Sequence, residues 1–481
     1  MIAMKKILIV LTTCLLLASC AQFTELQPKG KNLLSTTDEL ELLLNAFEYG
    51  PGSRDMQRMT GDLISYANIP NELASPIPTR YTIMLTWDES KLDKFAELTA
   101  SDTDYSELFS YVGTIANPIL SRIDDAKGED AKKNQLKAEA YTLRAYAEYI
   151  LVNKFAAAYN PSTASGTPGI PYLMEDWDIS EPTEQWTVGA VYDQILADCE
   201  AAISLNALPV NNINRMRINK SCPYIVKALA LMSMQKFDEA ESVARTALGF
   251  NGTIDNYLDD AHTTFTQGYL MGGQYPSLFL PKMQMEEDML TTYDMVFYEA
   301  ITVEAQARAE AGYATISRIA NMDMAYDYMM PACIMTTGVD GILSYDLNSS
   351  WNTFGLKTTQ LYLVIAECEI RKGNFDEAMK YLDAIRVNRI AADTYAPLQG
   401  NVTTKAEAVL HLKQVYQGEL YYTPYVFIAR KRWNQLDDMK ETFTRDLLGT
   451  TYTLAPESKM WIFPFPQNAI NNNPNLKQNC F

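Results

Sequence analysis

Residues 224–240 read YIVKALALMSMQKFDEA, and residues 362–378 read YLVIAECEIRKGNFDEA. The second stretch lies 138 positions after the first (Tyr224 to Tyr362), and seven residues recur in register: the Tyr, the Val, an Ala and the whole Phe-Asp-Glu-Ala run. Each copy carries a small residue, Ala228 or Ala366, twelve positions before a second alanine, Ala240 or Ala378, with a turn between them. Helical spacing on both sides of a turn predicts two helices packed back to back. The alanines add no bulk where the helices approach, and Phe237 or Phe375 fills the wedge at the turn. A chance helical hairpin would rarely repeat so many residues in register.

The pattern resembles a tetratricopeptide repeat, with small residues at the same places. Two weaker copies extend it. One pairs a helix over 134–158 with a helix over 188–205, across a long insertion. The other starts at Lys405 and runs through Leu420. The expected fold is all-α: a tetratricopeptide-like scaffold of about four helix pairs, carrying long irregular loop insertions. Ser35-Thr36-Thr37-Asp38 opens a further helix, with an acid placed to complete a capping box. Residues 50–90 hold Gly50, Pro51, Gly52, Pro70, Pro76 and Pro78 and read as a loop-rich, aromatic segment. Residues 252–356 lack a sustained period and read as loops with at most short strands. No Pro/Ser-rich linker separates modules. The expected organisation is a leader at 1–19 followed by two interleaved parts, 20–215 and 216–481.

Composition narrows the function. Across 481 residues, 40 Lys+Arg face 59 Asp+Glu, a net charge of −19. Nucleic-acid binders carry a basic footprint, so that class is disfavoured. Two histidines, His262 and His411, leave little for histidine-based catalysis. The chain has no phosphate loop, His-Glu-x-x-His zinc motif or Gly-x-Ser-x-Gly elbow. Asp102-x-Asp104 lacks the glycine and closing glutamate of a calcium loop. No catalytic residue, metal or cofactor is assigned. Five of the cysteines (Cys199, Cys222, Cys333, Cys368, Cys480) are widely spaced and lack a Cys-x-x-Cys pair, so a disulfide framework or zinc site is disfavoured and the helical ones read as small buried hydrophobes.

The first twenty residues decide the compartment. Lys5 and Lys6 precede an apolar run from Ile7 to Leu17, and Ala18-Ser19-Cys20 follows. A cationic start, a short apolar stretch and small residues describe a secretory signal. The run is too short to span a bilayer, which takes about 20 residues. Leu17-Ala18-Ser19-Cys20 is similar to a bacterial lipobox, which implies cleavage before Cys20 and lipidation of its thiol. Several acyl chains give stable membrane attachment.

Three regions together resemble the SusD/RagB family of outer-membrane lipoproteins. The first is Cys20 with Phe23, Leu26, Pro28-Lys29-Gly30 and the helix start at Thr36-Thr37-Asp38. The second is the repeat pair with Ala366-Glu367 and Ile385-Arg386-x-x-Arg389. The third is the C-terminus, Met460-Trp461-Ile462-Phe463-Pro464-Phe465-Pro466-Gln467 followed by Asn473-Pro474 and Gln478-Asn479. Glu419-Leu420 and Arg432-Trp433 also fit the family pattern. Thr423-Pro424, Val426 and Ala429 depart from it, standing where relatives often have Glu-Gly, Arg and Asp. The acidic run that often follows the lipid cysteine in surface-exported relatives is absent at Ala21–Glu25. The resemblance implies a binding protein on the outer membrane, facing the cell surface. It would capture oligosaccharides and pass them to a SusC-type TonB-dependent transporter without cleaving them. Two alternatives are a peptide-capturing member of the same family and a glycoside hydrolase.

A sugar site needs aromatic faces for pyranose rings and planar polar groups for hydroxyls. Two clusters supply both: Tyr66, Arg80, Tyr81 and Trp87 in the first loop-rich segment, and Tyr345, Asn348, Trp351 and Asn352 in the second. The competing reading is that these side chains pack loops onto the scaffold. Trp433 and Trp461 are assigned to core.

Overall fold

The computed structural model describes residues 34–45, 55–60, 73–178, 181–214, 216–256, 355–390, 392, 395–420, 423–447 and 449–479, and short strands between 288 and 352. Short helices come first: α1 (Thr37–Asn45), α2 (Asp55–Met59), α3 (Arg80–Thr86), α4 (Leu92–Leu98), α5 (Thr103–Tyr111) and α6 (Asn117–Arg122). The scaffold follows as α7 (Asp130–Phe155) with α8 (Val188–Leu205), α9 (Cys222–Ser233) with α10 (Phe237–Leu248), α11 (Thr358–Lys372) with α12 (Phe375–Arg386), and α13 (Lys405–Glu419) with α14 (Pro424–Trp433). A last short helix, α15, spans Gln467–Asn472. These are the four expected pairs, and α8 packs on α9, α10 on α11, and α11 on α13. The fold is mostly helical, as the repeat predicts.

The repeat residues do what their chemistry suggests. Ala228, Ala240, Ala366 and Ala378 are all buried at the helix approaches. Phe237 and Phe375 pack against the core from the turns. The Arg371 guanidinium lies 4.0 Å from the Phe237 ring centroid, which ties one repeat to the next. Both turns use the same hydrogen bonds. Gln235 N donates to Met232 O (3.2 Å) and Lys236 N to Leu231 O (2.9 Å). Gly373 N donates to Ile370 O (3.1 Å) and Asn374 N to Glu369 O (2.9 Å). This Schellman arrangement needs a left-handed residue at the turn. The equivalent positions are Gly373 (φ 83°) and Gln235 (φ 62°).

One segment differs from the sequence reading, and a second carries the short strands that reading allowed for, in a pairing it did not foresee. Residues 50–90 were expected to be loop, yet α2 and α3 form there. Pro78 and earlier breakers precede α3 rather than interrupt it, and Thr79 caps it by accepting from Thr82 N at 3.1 Å. The second is the insertion between α10 and α11, which follows the antiparallel pair β1 (Pro168–Pro171) and β2 (Gln185–Thr187) along the chain and contains β3 (Asp288–Leu290), β4 (Tyr293–Phe297), β5 (Ile301–Thr302), β6 (Ile334–Thr336), β7 (Ile342–Tyr345), β8 (Asn348–Asn352) and β9 (Leu356–Lys357). They pair antiparallel and nested: β3 with β9, β4 with β8, and β5 and β6 on either side of β7. Buried Met289 fastens the base of this array. Its carbonyl accepts from Asn212 Nδ2 (3.0 Å) and Cys222 Sγ (3.3 Å). The Cys199, Cys222 and Cys368 thiols are free and buried, as small hydrophobes should be.

The C-terminal segment returns to the N-terminal part and closes the long helix α7. A helix leaves its last carbonyls without partners inside the helix. Here Lys431 Nζ donates to Asn153 O (2.8 Å) and Ala156 O (2.6 Å), and Phe463 N donates to Lys154 O (3.0 Å). Asn479 Nδ2 donates to Phe155 O. Phe465 stacks on Phe155 with centroids 5.7 Å apart, and Tyr105 meets both rings edge-on.

Gln235→Gly should raise stability by about 0.5–1 kcal/mol, because glycine enters the left-handed region without strain. Gly373→Gln should lower it by a similar amount; no atom lies within 4 Å of an added Cβ, so only backbone strain opposes it. Urea unfolding of both variants checks the pair.

Candidate functional site

Among its described residues, the first predicted cluster does not converge on one surface. Tyr66 lies outside the described residues. Trp87 is only 5% exposed, and its indole Nε1 donates to Met59 O at 2.7 Å. The Arg445 guanidinium sits 4.2 Å from the Trp87 ring centroid, and Arg445 Nη1 donates to Leu85 O at 2.5 Å. That ring has no open face for a sugar, so the packing reading holds for Trp87. Arg80 turns inward: Nη2 meets Asp55 Oδ2 at 2.5 Å and Nε donates to Thr99 Oγ1 at 3.1 Å. Tyr81 is half-buried at the start of α3 and packs partly on the core.

The second cluster falls on strands. Tyr345 ends β7, opposite Ile334. Positions 348, 351 and 352 lie on β8, opposite Phe297, Asp294 and Tyr293. Successive strand positions alternate between faces. Positions 348 and 352 therefore share one face of the ladder with 293 and 297, and 351 falls on the other face with 294. The backbone brings Asn348 and Asn352 into one row and sets Trp351 apart from them.

The charged groups that sequence reasoning could not place form buried pairs. Lys154, fully buried near the end of α7, donates to Asp102 Oδ2 (2.7 Å) and Asp104 Oδ2 (2.6 Å). Those carboxylates outweigh the cost of burial and raise the pKa of Lys154. The Asp102-x-Asp104 pair thus holds an ammonium group. Among the described residues, no group of His, Cys, Asp or Glu could hold a metal ion. In a second centre, Glu367 receives Arg432 Nη1 and Nη2, each at 2.6 Å, and Trp433 Nε1 at 3.0 Å. Burial would raise the pKa of Glu367, but the Arg432 and Arg371 charges push it down to about 2. In a third, Arg389 Nε and Lys357 Nζ meet Glu419 at 2.9 and 3.2 Å.

Between these helices lies a cavity of about 10 Å³, lined in part by Tyr149, Glu367, Tyr416, Tyr425, Ala429 and Arg432. That is room for about one water molecule and far short of the several hundred Å³ of a ligand pocket. This cavity is therefore too small to hold a sugar.

A family described as "Starch-binding associating with outer membrane" matches residues 62–229, and one described as "SusD family" matches residues 347–481. The chain belongs to the SusD/RagB family. No curated protein matches it by sequence. Among solved structures, it is similar to a SusD superfamily protein from Bacteroides fragilis, at 16% identity and TM-score 0.65, over 93% of this chain and 100% of that one. It is also similar to surface glycan-binding protein A from Bacteroides uniformis, at 14% identity and TM-score 0.62, over 92% and 100%. At these identities the likeness is one of fold.

The SusD/RagB motif residues converge in the structure. Ala366-Glu367 on α11 meets Arg432-Trp433 on α14, and Arg389 after α12 meets Glu419 on α13. The Phe463-Pro464-Phe465-Pro466 run and Gln478-Asn479 form the strap over α7. The departures Val426 and Ala429 are both buried. Sequence motifs of this SusD-like chain thus mark its framework.

Trp87→Ala should cost about 3–5 kcal/mol of stability, as large aromatic truncations in a core do; a melting temperature unchanged from wild type would contradict a packing role. Burial lowers the pKa of Lys431 from 10.5 to about 7. Between those two values the unfolded chain holds a proton that the folded chain lacks, so this group makes stability rise with pH across that window. It adds no slope below the folded value, where both states are protonated. Lys431→Met removes the slope. Wild type should gain on the variant by up to about 1.4 kcal/mol per pH unit between pH 7 and pH 10, measured by urea unfolding.

Proposed function

We propose that this protein is a glycan-binding lipoprotein of the outer membrane. It is held by lipid on Cys20, captures oligosaccharides at the cell surface and delivers them to a SusC-type TonB-dependent transporter. The observation that carries this reading is family membership across both the N-terminal and C-terminal parts of the chain. The description of the N-terminal family names starch binding and the outer membrane. The relative from B. uniformis is described as a surface glycan-binding protein.

The chemistry of the chain is in keeping with capture rather than cleavage. Its buried acids Asp102, Asp104, Glu367 and Glu419 are neutralised by lysine and arginine inside the scaffold. A retaining or inverting glycosidase needs two carboxyls facing one bond across a cleft. The ligand surface in this reading is made by Tyr81 and the insertion strands, with Tyr345, Asn348, Trp351 and Asn352 as candidate contacts. Tyr66 belongs to the same proposal. Trp87 and Arg80 support it from beneath.

Calorimetry against oligosaccharide and peptide panels tests the substrate class. Glycan binding without product release is the expected result. Peptide binding with silent glycans would move the protein to the peptide-capturing reading, and released sugar would make it a hydrolase. Tyr81→Ala or Trp351→Ala should weaken glycan binding by about 1–3 kcal/mol, the scale of an aromatic anchor, with little change in melting temperature. Cys20→Ala should move the protein from the membrane fraction to the soluble one. A variant that still sediments with membranes after a salt wash would refute the lipid anchor.

A further inference from the structure

The small cavity in the scaffold lies where the helix pairs meet. Tyr149 comes from α7, Leu229 and Met232 from α9, Glu367 from α11, Tyr416 from α13, and Arg432 with Ala429 from α14. The first helix of every pair therefore contributes to its wall, and α14 closes it. All of these residues are buried. The wall is mixed in character. One part is the Glu367–Arg432 ion pair and the tyrosines. The other is Leu229, Met232 and the methyl group of Ala429.

Two opposite fates are open to such a void. A dry cavity forfeits dispersion contacts, and filling it with carbon stabilises the fold. A wet cavity holds a water that makes two to four hydrogen bonds, and removing it costs free energy. Size alone does not separate them, since about 10 Å³ is at the threshold for one water. The chemistry of the wall does. A carboxylate has about four accepting sites, and Arg432, Arg371 and Trp433 already supply four donors to Glu367, so a water finds its partners on Arg432 and the tyrosine hydroxyls. A water beside the pair can accept from the Arg432 cation and donate to a tyrosine hydroxyl at once. Burial pushes the Tyr416 hydroxyl well above its ordinary pKa, so it remains a neutral donor.

We infer that this cavity is a binding site for one internal water, which joins the Glu367–Arg432 pair to the tyrosines of the neighbouring helices. The water is a structural ligand of the framework. It takes the place that a longer polar side chain at position 429 would fill, and Ala429 is short enough to leave it room.

A crystal structure at better than 1.8 Å should show one fully occupied water within hydrogen-bonding distance of at least two of Arg432, Tyr149, Tyr416 and Tyr425. Empty density there would overturn the inference. Two variants give an independent reading in solution. Ala429→Val fills the space with carbon that cannot replace the lost hydrogen bonds, and its melting temperature should fall below wild type. Ala429→Ser supplies a hydroxyl of similar reach and should melt above Ala429→Val. If Ala429→Val melts higher than both wild type and Ala429→Ser, the cavity is dry and the inference fails. Should the valine variant not fold, the density in the wild-type crystal still decides.

Discussion

The end of one helix governs this structure. Helix α7 runs from Asp130 to Phe155 and is buried along most of its last five turns. A buried helix end needs partners for its carbonyls, because water cannot reach them. Those partners come from the far end of the sequence: Lys431 on α14, Phe463 and Asn479 on the strap. One residue inside that end, Lys154 also draws Asp102 and Asp104 onto the helix. A single turn of α7 therefore gathers the N-terminal loops, the last helix pair and the C-terminus. The two parts of the chain are interlocked there, which is why no flexible linker is needed between them.

The buried ion pairs set the geometry of the framework more than its total stability. Removing a buried charge from water costs nearly as much as the pairing returns. Their value lies in selecting one arrangement of similar helices. Glu367 accepts two arginines and a tryptophan, so α11 and α14 can pack in only one register. Glu419 does the same for the end of α12 and the start of α11 through Arg389 and Lys357. A scaffold fixed in this way can carry long insertions without losing its shape. The base of the largest one, at β3 and β9, is held by Met289 in a socket of polar side chains from α9 and the loop before it.

Much of the framework was legible in the sequence. The in-register repeat of Phe-Asp-Glu-Ala located two helix pairs, and its alanines are buried where predicted. Helical periodicity placed α7 with α8, and the first helix of the last pair, α13. The short helix over 80–86 was missed because prolines dominate that stretch, although Thr79 offered a capping signal. Short strands were allowed for over 252–356, but their nested pairing was missed because partners lie as far apart as Asp288 and Lys357, and such pairing leaves no local period. The ligand clusters were the least legible. Trp87 and Tyr81 look alike in sequence, amid the same breakers. Only the chain's path shows that Arg445, hundreds of positions away, covers one of them. Asp102-x-Asp104 looked like a failed calcium loop, and in the fold the pair holds the Lys154 ammonium group.

The proposed function puts capture on the inserted surfaces, with the scaffold helices as their support. Hydrogen exchange on the full chain, with and without a saturating oligosaccharide, tests it most directly. The account predicts protection in residues 293–352 and around Tyr81, with the scaffold helices unchanged. Protection centred on α9, α11 or α13, with the insertion unaffected, would contradict it.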